Sequence, residues 1–87
     1  MTWRVILSTK AVKDAKKLKA AGLKPQTEKL LFLLQQYPFK TPPRFEKLVG
    51  NLAGCYSRRI NIQHRLVYRI DKDSRVVHVL RMWTHYE

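Results

Sequence analysis

The residues with useful chemistry gather in the second half of the chain: Glu46, Arg59, Arg65, His85 and Tyr86, with Lys47 and Arg58 close by in sequence. No glycine-rich phosphate loop, paired cysteine or helical histidine pair accompanies them. A carboxylate, a histidine and one or two arginines are instead a set that would satisfy the needs of RNA scission without a metal or cofactor. The 2′-hydroxyl must lose a proton to a base and the departing 5′-oxygen must gain one from an acid. The phosphoryl group accumulates charge between those events and needs fixed cations. Between Arg44 and Arg69 the chain has a single acidic residue, Glu46, set among bases that favour its ionised form.

Each of these residues also has a plainer reading. Glu46 can simply pair with Lys47 or Arg44 at the end of a loop. Arg58 and Arg59 are adjacent on an expected strand and so face opposite ways; at most one joins a single site, and the other is expected as a solvated edge charge. Arg65 can be a surface residue, and His64 and His78 sit in strands among apolar neighbours, as structural histidines do. His85 and Tyr86 lie almost at the end of the sequence, where chains often fray, although "RMWTHYE" offers Trp83 and Tyr86 for packing. From the residues alone, binding of RNA is the expectation and catalysis stays open.

Composition narrows the partner. The chain has 87 residues, enough for one domain, and 45% of them are hydrophobic, too many for a disordered chain. Eighteen Lys and Arg against six Asp and Glu give a formal charge of +12, and the pI is near 10.4. Such an excess calls for a polyanionic partner: nucleic acid, an acidic protein or an anionic membrane surface. Of these a membrane is not the expected partner, since the longest strictly apolar run, "LLFLL" at Leu30–Leu34, falls far short of the ~20 residues a spanning helix needs. The opening "MTWRVILSTK" does not read as a signal peptide. The single cysteine, Cys55, permits no internal disulfide and no metal cluster; it reads as a small strand residue in a reducing, cytoplasmic protein.

The elements that must position these groups follow from period and punctuation. "TWRVIL" (Thr2–Leu7) alternates Trp3, Val5 and Leu7 as a strand. Ser8 or Thr9 can cap a helix through "KAVKDAKKLKAAG", closing at Gly22, with Ala11, Ala15 and Leu18 on one face and Lys10, Lys13, Lys16, Lys17 and Lys19 around the rest. Pro25 opens a second helix that buries Thr27, Leu30, Leu31 and Leu34 and stops at Pro38. "PFKTPPRFEK" reads as a proline-ordered loop. Two strands, "GCYSRRIN" and "HRLVYRID", are joined through Ile62–Gln63, and "DKDS" turns into a last strand, "RVVHVLRMWTHY". The order β-α-α-β-β-β predicts a small single α+β domain, residues 1–87. Its helical hairpin covers one face of a mostly antiparallel sheet and leaves the other for a ligand.

The stretch "EKLVGNLAGCYSRRINIQHRLVYRI" followed by a terminal "HY" resembles the YoeB/Txe toxins of the RelE-type superfamily of bacterial toxin–antitoxin systems. Several spaced elements in the same order carry the resemblance, from Glu46 to Tyr86; the first half agrees only in its strand–helix–helix plan. The resemblance implies a RelE-like fold and a metal-independent endoribonuclease that cuts mRNA in the ribosomal A site, halts translation and leaves a 2′,3′-cyclic phosphate. By it, Glu46 is the general base, Arg65 steadies the charged phosphate, His85 is the general acid and Tyr86 orients the substrate. Arg59 holds RNA, with Arg58 and Lys47 as further contacts and Lys10, Lys13, Lys16 and Lys17 meeting ribosomal RNA. Partners implied are mRNA, the ribosome, an acidic antitoxin that wraps the toxin and, in some members, a second copy. Val49 departs from the pattern, standing where the family often has lysine; Lys47, one residue after Glu46, is expected to point elsewhere. The readings set against this one are a non-catalytic RNA- or ribosome-binding module of the same fold and, less well supported, a DNA-binding repressor subunit.

Overall fold

The computed structural model describes residues 2–41, 44–50, 53–61 and 64–83. His85 and Tyr86, and the Ile62–Gln63 connection, lie outside the described residues. A short strand, β1 (Arg4–Leu7), leads directly into α1 (Thr9–Ala20). Ser8 makes the corner: its Oγ accepts from the Ala11 N–H at 3.0 Å and donates to the Leu80 carbonyl at 2.8 Å. One hydroxyl thus caps the helix and fastens its start to the last strand.

α1 ends in a Schellman closure. Gly22 adopts φ +78°, and the Leu23 and Gly22 N–H groups reach the Leu18 and Lys19 carbonyls at 2.8 and 3.1 Å. α2 (Lys24–Gln36) carries Pro25 in its first turn, where no N–H is needed. The expected strand at Thr2–Leu7 is shorter at its start, because the Trp3 N–H bonds the Gln35 carbonyl at the end of α2 (2.7 Å) and not a strand neighbour.

Four further strands follow: β2 (Phe45–Lys47), β3 (Cys55–Arg59), β4 (Arg65–Asp71) and β5 (Val76–Arg81). They form one sheet in the order β1-β5-β4-β3-β2. β1 runs parallel to β5 and every other pair is antiparallel, so the sheet is mixed. β2 corrects the expectation of a loop through "RFEK": Glu46 lies on a three-residue edge strand paired with β3. The β4–β5 turn is the expected one, with the Asp71 carboxylate accepting from the Asp73 and Ser74 N–H groups.

Both helices cover one face. Ala11, Leu18, Leu30 and Leu34 pack there with Leu66, Tyr68, Val77, Val79 and Met82. On the opposite face Leu48, Cys55, Val67 and Leu80 make a small apolar cluster. Alternation after Val79 puts Leu80 on this face, and a β-bulge follows: Tyr68 stands opposite Val79 and Val67 opposite Arg81, leaving Leu80 as the extra residue.

Candidate active site

Strand register decides which charged residues can meet. Glu46 on β2 is opposite Ser57 on β3, Ser57 is opposite Val67 on β4, and Arg59 is opposite Arg65. Alternation therefore sets Glu46, Ser57, Arg59 and Arg65 on the face without helices. With Arg44, two residues before Glu46, they line a cleft of about 350 Å³. Across it Glu46 Oε2 lies 3.5 Å from Arg65 Nη1. The cleft thus combines one carboxylate with three guanidinium groups, a set suited to holding a phosphodiester while the carboxylate takes a proton from a neighbouring hydroxyl. A larger concavity of about 740 Å³, lined by Trp3, Gln36, Tyr37, Phe39, Lys72 and Arg75, has cations and aromatics but neither carboxylate nor histidine.

The same alternation removes two expected contacts from this face. Lys47 is opposite Tyr56, on the side away from Glu46. Arg58 is not a solvated edge charge but is 1% exposed. Its Nε donates to the Tyr68 hydroxyl at 2.9 Å and its Nη2 to the Pro38 carbonyl at 2.8 Å, with the guanidinium 5.0 Å from the Phe45 ring centroid. A buried cation is tolerable only with partners of this kind. Burial in turn pushes the Tyr68 phenol above its ordinary range, with the Arg58 charge opposing.

Lys10, Lys13, Lys16 and Lys17 are exposed on α1, on the helical side, and do not converge on the cleft. Val49 is 84% exposed. Sequence reasoning missed Ser57 and Arg44 as cleft residues; the period-2 spacing of Ser57 with Arg59, and of Arg44 with Glu46, is the signal that could have found them. It also missed Asp14.

Asp14 lies on α1, 2% exposed. Its Oδ2 accepts from Arg81 Nε at 2.9 Å and from the Met82 N–H at 3.0 Å. Burial works against its charge, but these hydrogen bonds and the Arg81 guanidinium outweigh it and hold the carboxyl below the usual aspartate range. One residue further on, His64 Nδ1 donates to the Trp83 carbonyl, and the two rings stack with centroids 4.1 Å apart. Arg81, Met82 and Trp83 are thus held in succession, immediately before the segment that carries His85. Among the described residues no group of three or more His, Cys, Asp or Glu could hold a metal ion, and no helix is long and apolar enough to cross a membrane.

Comparison with known proteins adds an independent line. A family model for the YoeB-like toxin of bacterial type II toxin–antitoxin systems matches residues 10–86. Toxin YoeB of Mycobacterium bovis is 41% identical over 58 residues, which cover 67% of this chain and 66% of that toxin, just under two thirds of its length. A YoeB/ParE toxin from Agrobacterium tumefaciens superposes with a TM-score of 0.85 at 26% identity, covering 95% of this chain and 99% of that one. YoeB of Staphylococcus aureus, 30% identical, has been solved in complex with YefM (TM-score 0.78) and as a dimer (TM-score 0.80), each match covering 97% of this chain and 98% of that one.

Proposed function

This chain belongs to the YoeB-like toxin family of bacterial type II toxin–antitoxin systems, and on that premise we propose that it is an endoribonuclease acting on mRNA in the ribosomal A site. The observation that carries the reading is the approach of Glu46 to Arg65 across the open-face cleft. Glu46 takes the proton of the 2′-hydroxyl as that oxygen attacks phosphorus. Arg65 and Arg59 hold the phosphoryl oxygens while negative charge builds on them. His85 gives a proton to the departing 5′-oxygen, and Tyr86 orients the nucleotide. The products are a 2′,3′-cyclic phosphate and a 5′-hydroxyl, with no metal in the balance.

Arrival of a phosphate in the cleft gives Arg65 a second anion, which loosens its hold on Glu46 and leaves the carboxylate to act as a base. Lys10, Lys13, Lys16 and Lys17, on the far side of the sheet from the cleft, suit contact with a surface as large as ribosomal RNA, and such contacts weaken steeply with salt. The same charge suits an acidic antitoxin, as YefM partners the staphylococcal relative, and a second copy is a further partner. Work on the ribosome implies a cytoplasmic location.

A second reading, a ribosome-binding module without chemistry, draws on the same ion pair: exposed Glu46–Arg65 contacts also occur as plain surface salt bridges. Primer extension on an mRNA in a purified translation system separates the two. Cuts at a fixed place relative to the A-site codon, slowed roughly 10²–10⁴-fold by His85→Gln, are expected of the nuclease. No cuts from folded, ribosome-bound protein would leave the binding module.

A further inference from the structure

Ser57 stands at the middle of β3, between the edge strand that carries Glu46 and the strand that begins with Arg65. It is 2% exposed, yet its Oγ has no hydrogen-bond partner within the described protein. Buried hydroxyls are nearly always bonded, because leaving one unpaired costs stability, so an orphan needs a reason. This one lines the cleft shared by Arg44, Glu46, Arg59 and Arg65. Glu46, its neighbour across the strands, accepts from Arg65 and not from Ser57.

A hydroxyl among three guanidinium groups has an obvious class of acceptor, an anionic oxygen brought in from outside. A hydroxyl donating to phosphate gains the strength of a charge-assisted bond. It adds grip without adding another cation that would compete for Glu46. Paired on both sides, β3 also fixes the Ser57 backbone, so the donor need not reorganise when substrate arrives. We propose that Ser57 is a substrate-binding residue whose Oγ–H donates to a non-bridging oxygen of the phosphodiester seated between Arg59 and Arg65. The proposal rests on the ribonuclease reading for the identity of that phosphodiester, but not for the existence of the anion site.

The test compares wild type with Ser57→Ala and, under reducing conditions, Ser57→Cys, which keeps the side chain's size while weakening the donor. The probe is a fluorescent RNA trimer carrying a single 2′-deoxy nucleotide, which cannot be cut there. Both variants are expected to bind the trimer roughly 10-fold more weakly, the worth of one charge-assisted hydrogen bond. Their Tm should be unchanged or slightly raised, since no internal bond is lost. Equal affinities in the three proteins, a wild type that does not bind the trimer, or a fall in Tm in both variants would overturn the proposal. Cleavage of ribosome-bound mRNA by the same proteins keeps the two readings apart. Weaker trimer binding by the variants together with a wild type that cuts no mRNA would sustain the anion site and sink the nuclease. A wild type that cuts, matched by variants with equal rate and affinity, would do the reverse.

Discussion

Glu46 and Arg65 meet at 3.5 Å although their strands are not neighbours: β3 runs between them, and the contact passes over Ser57. Two long side chains from the flanking strands reach each other across the strand that carries a short one. The proposed base and phosphate-stabilising cation are therefore assembled before substrate arrives. They are held by backbone pairing and not by their own attraction, since an exposed pair of this kind is worth about 0–1 kcal/mol.

Arg65→Ala should accordingly leave Tm nearly unchanged while lowering the cleavage rate about 10²–10³-fold, the usual cost of losing a charge-stabilising group. Single-turnover kinetics on programmed ribosomes, with a parallel ribosome-binding titration, would measure this. A fall in ribosome affinity equal to the fall in rate would make Arg65 a binding residue only.

Arg58 and Arg59 should part company. Removing the Arg58 side chain empties a packed interior position and leaves the Tyr68 hydroxyl and Pro38 carbonyl without their donor. Arg58→Ala is expected to cost about 3 kcal/mol or more of stability. Arg59→Ala, on an exposed residue, should leave stability within about 0.5 kcal/mol and weaken RNA binding instead. Urea unfolding of both variants is the measurement; equal midpoints would contradict the interior placement of Arg58.

This pair also marks how far the sequence could be read. Alternation separates Arg58 from Arg59, but which of them turns inward depends on Tyr68, Pro38 and Phe45, far away in the chain. The helices were legible because Ser8, Gly22, Pro25 and Pro38 state their ends locally. β2 was not, because three residues set among prolines have no period and owe their strand to β3. Glu46, Arg59 and Arg65 stood out by charge. Ser57 and Asp14 did not, since a serine in a strand and an aspartate among lysines look ordinary until their surroundings are known.

Asp14 predicts an acid-sensitive clamp. Its carboxyl is depressed in the folded protein, so its contribution to stability is complete above the unfolded value of about 4. That contribution is lost as the pH falls from there through the folded value. Asp14→Asn should lower Tm at neutral pH and flatten the decline in Tm below about pH 4 relative to wild type. Parallel curves for the two proteins would show that Asp14 is not differently ionised on folding.

His64→Ala removes the hydrogen bond to the Trp83 carbonyl and the ring stacked on its indole. In a Trp3→Phe background, the fluorescence of Trp83 should shift to the red as the indole meets water. If Trp83 helps to seat His85, the cleavage rate should fall at least about 10-fold through misplacement of the acid, with ribosome affinity kept. An unshifted spectrum would mean that other contacts, such as those of Arg81 and Met82 with Asp14, suffice to hold the indole.

The measurement closest to the centre of this account is single-turnover cleavage of an mRNA on programmed ribosomes by wild type and Glu46→Gln, with the cut ends identified chemically. Wild type should cut at a fixed position in the A-site codon and leave a 2′,3′-cyclic phosphate. Glu46→Gln should fold, bind the ribosome and cut roughly 10²–10⁴-fold more slowly. A Glu46→Gln protein that cuts at the wild-type rate would contradict the assignment of Glu46 as the base, and with it the acid–base mechanism built on this cleft.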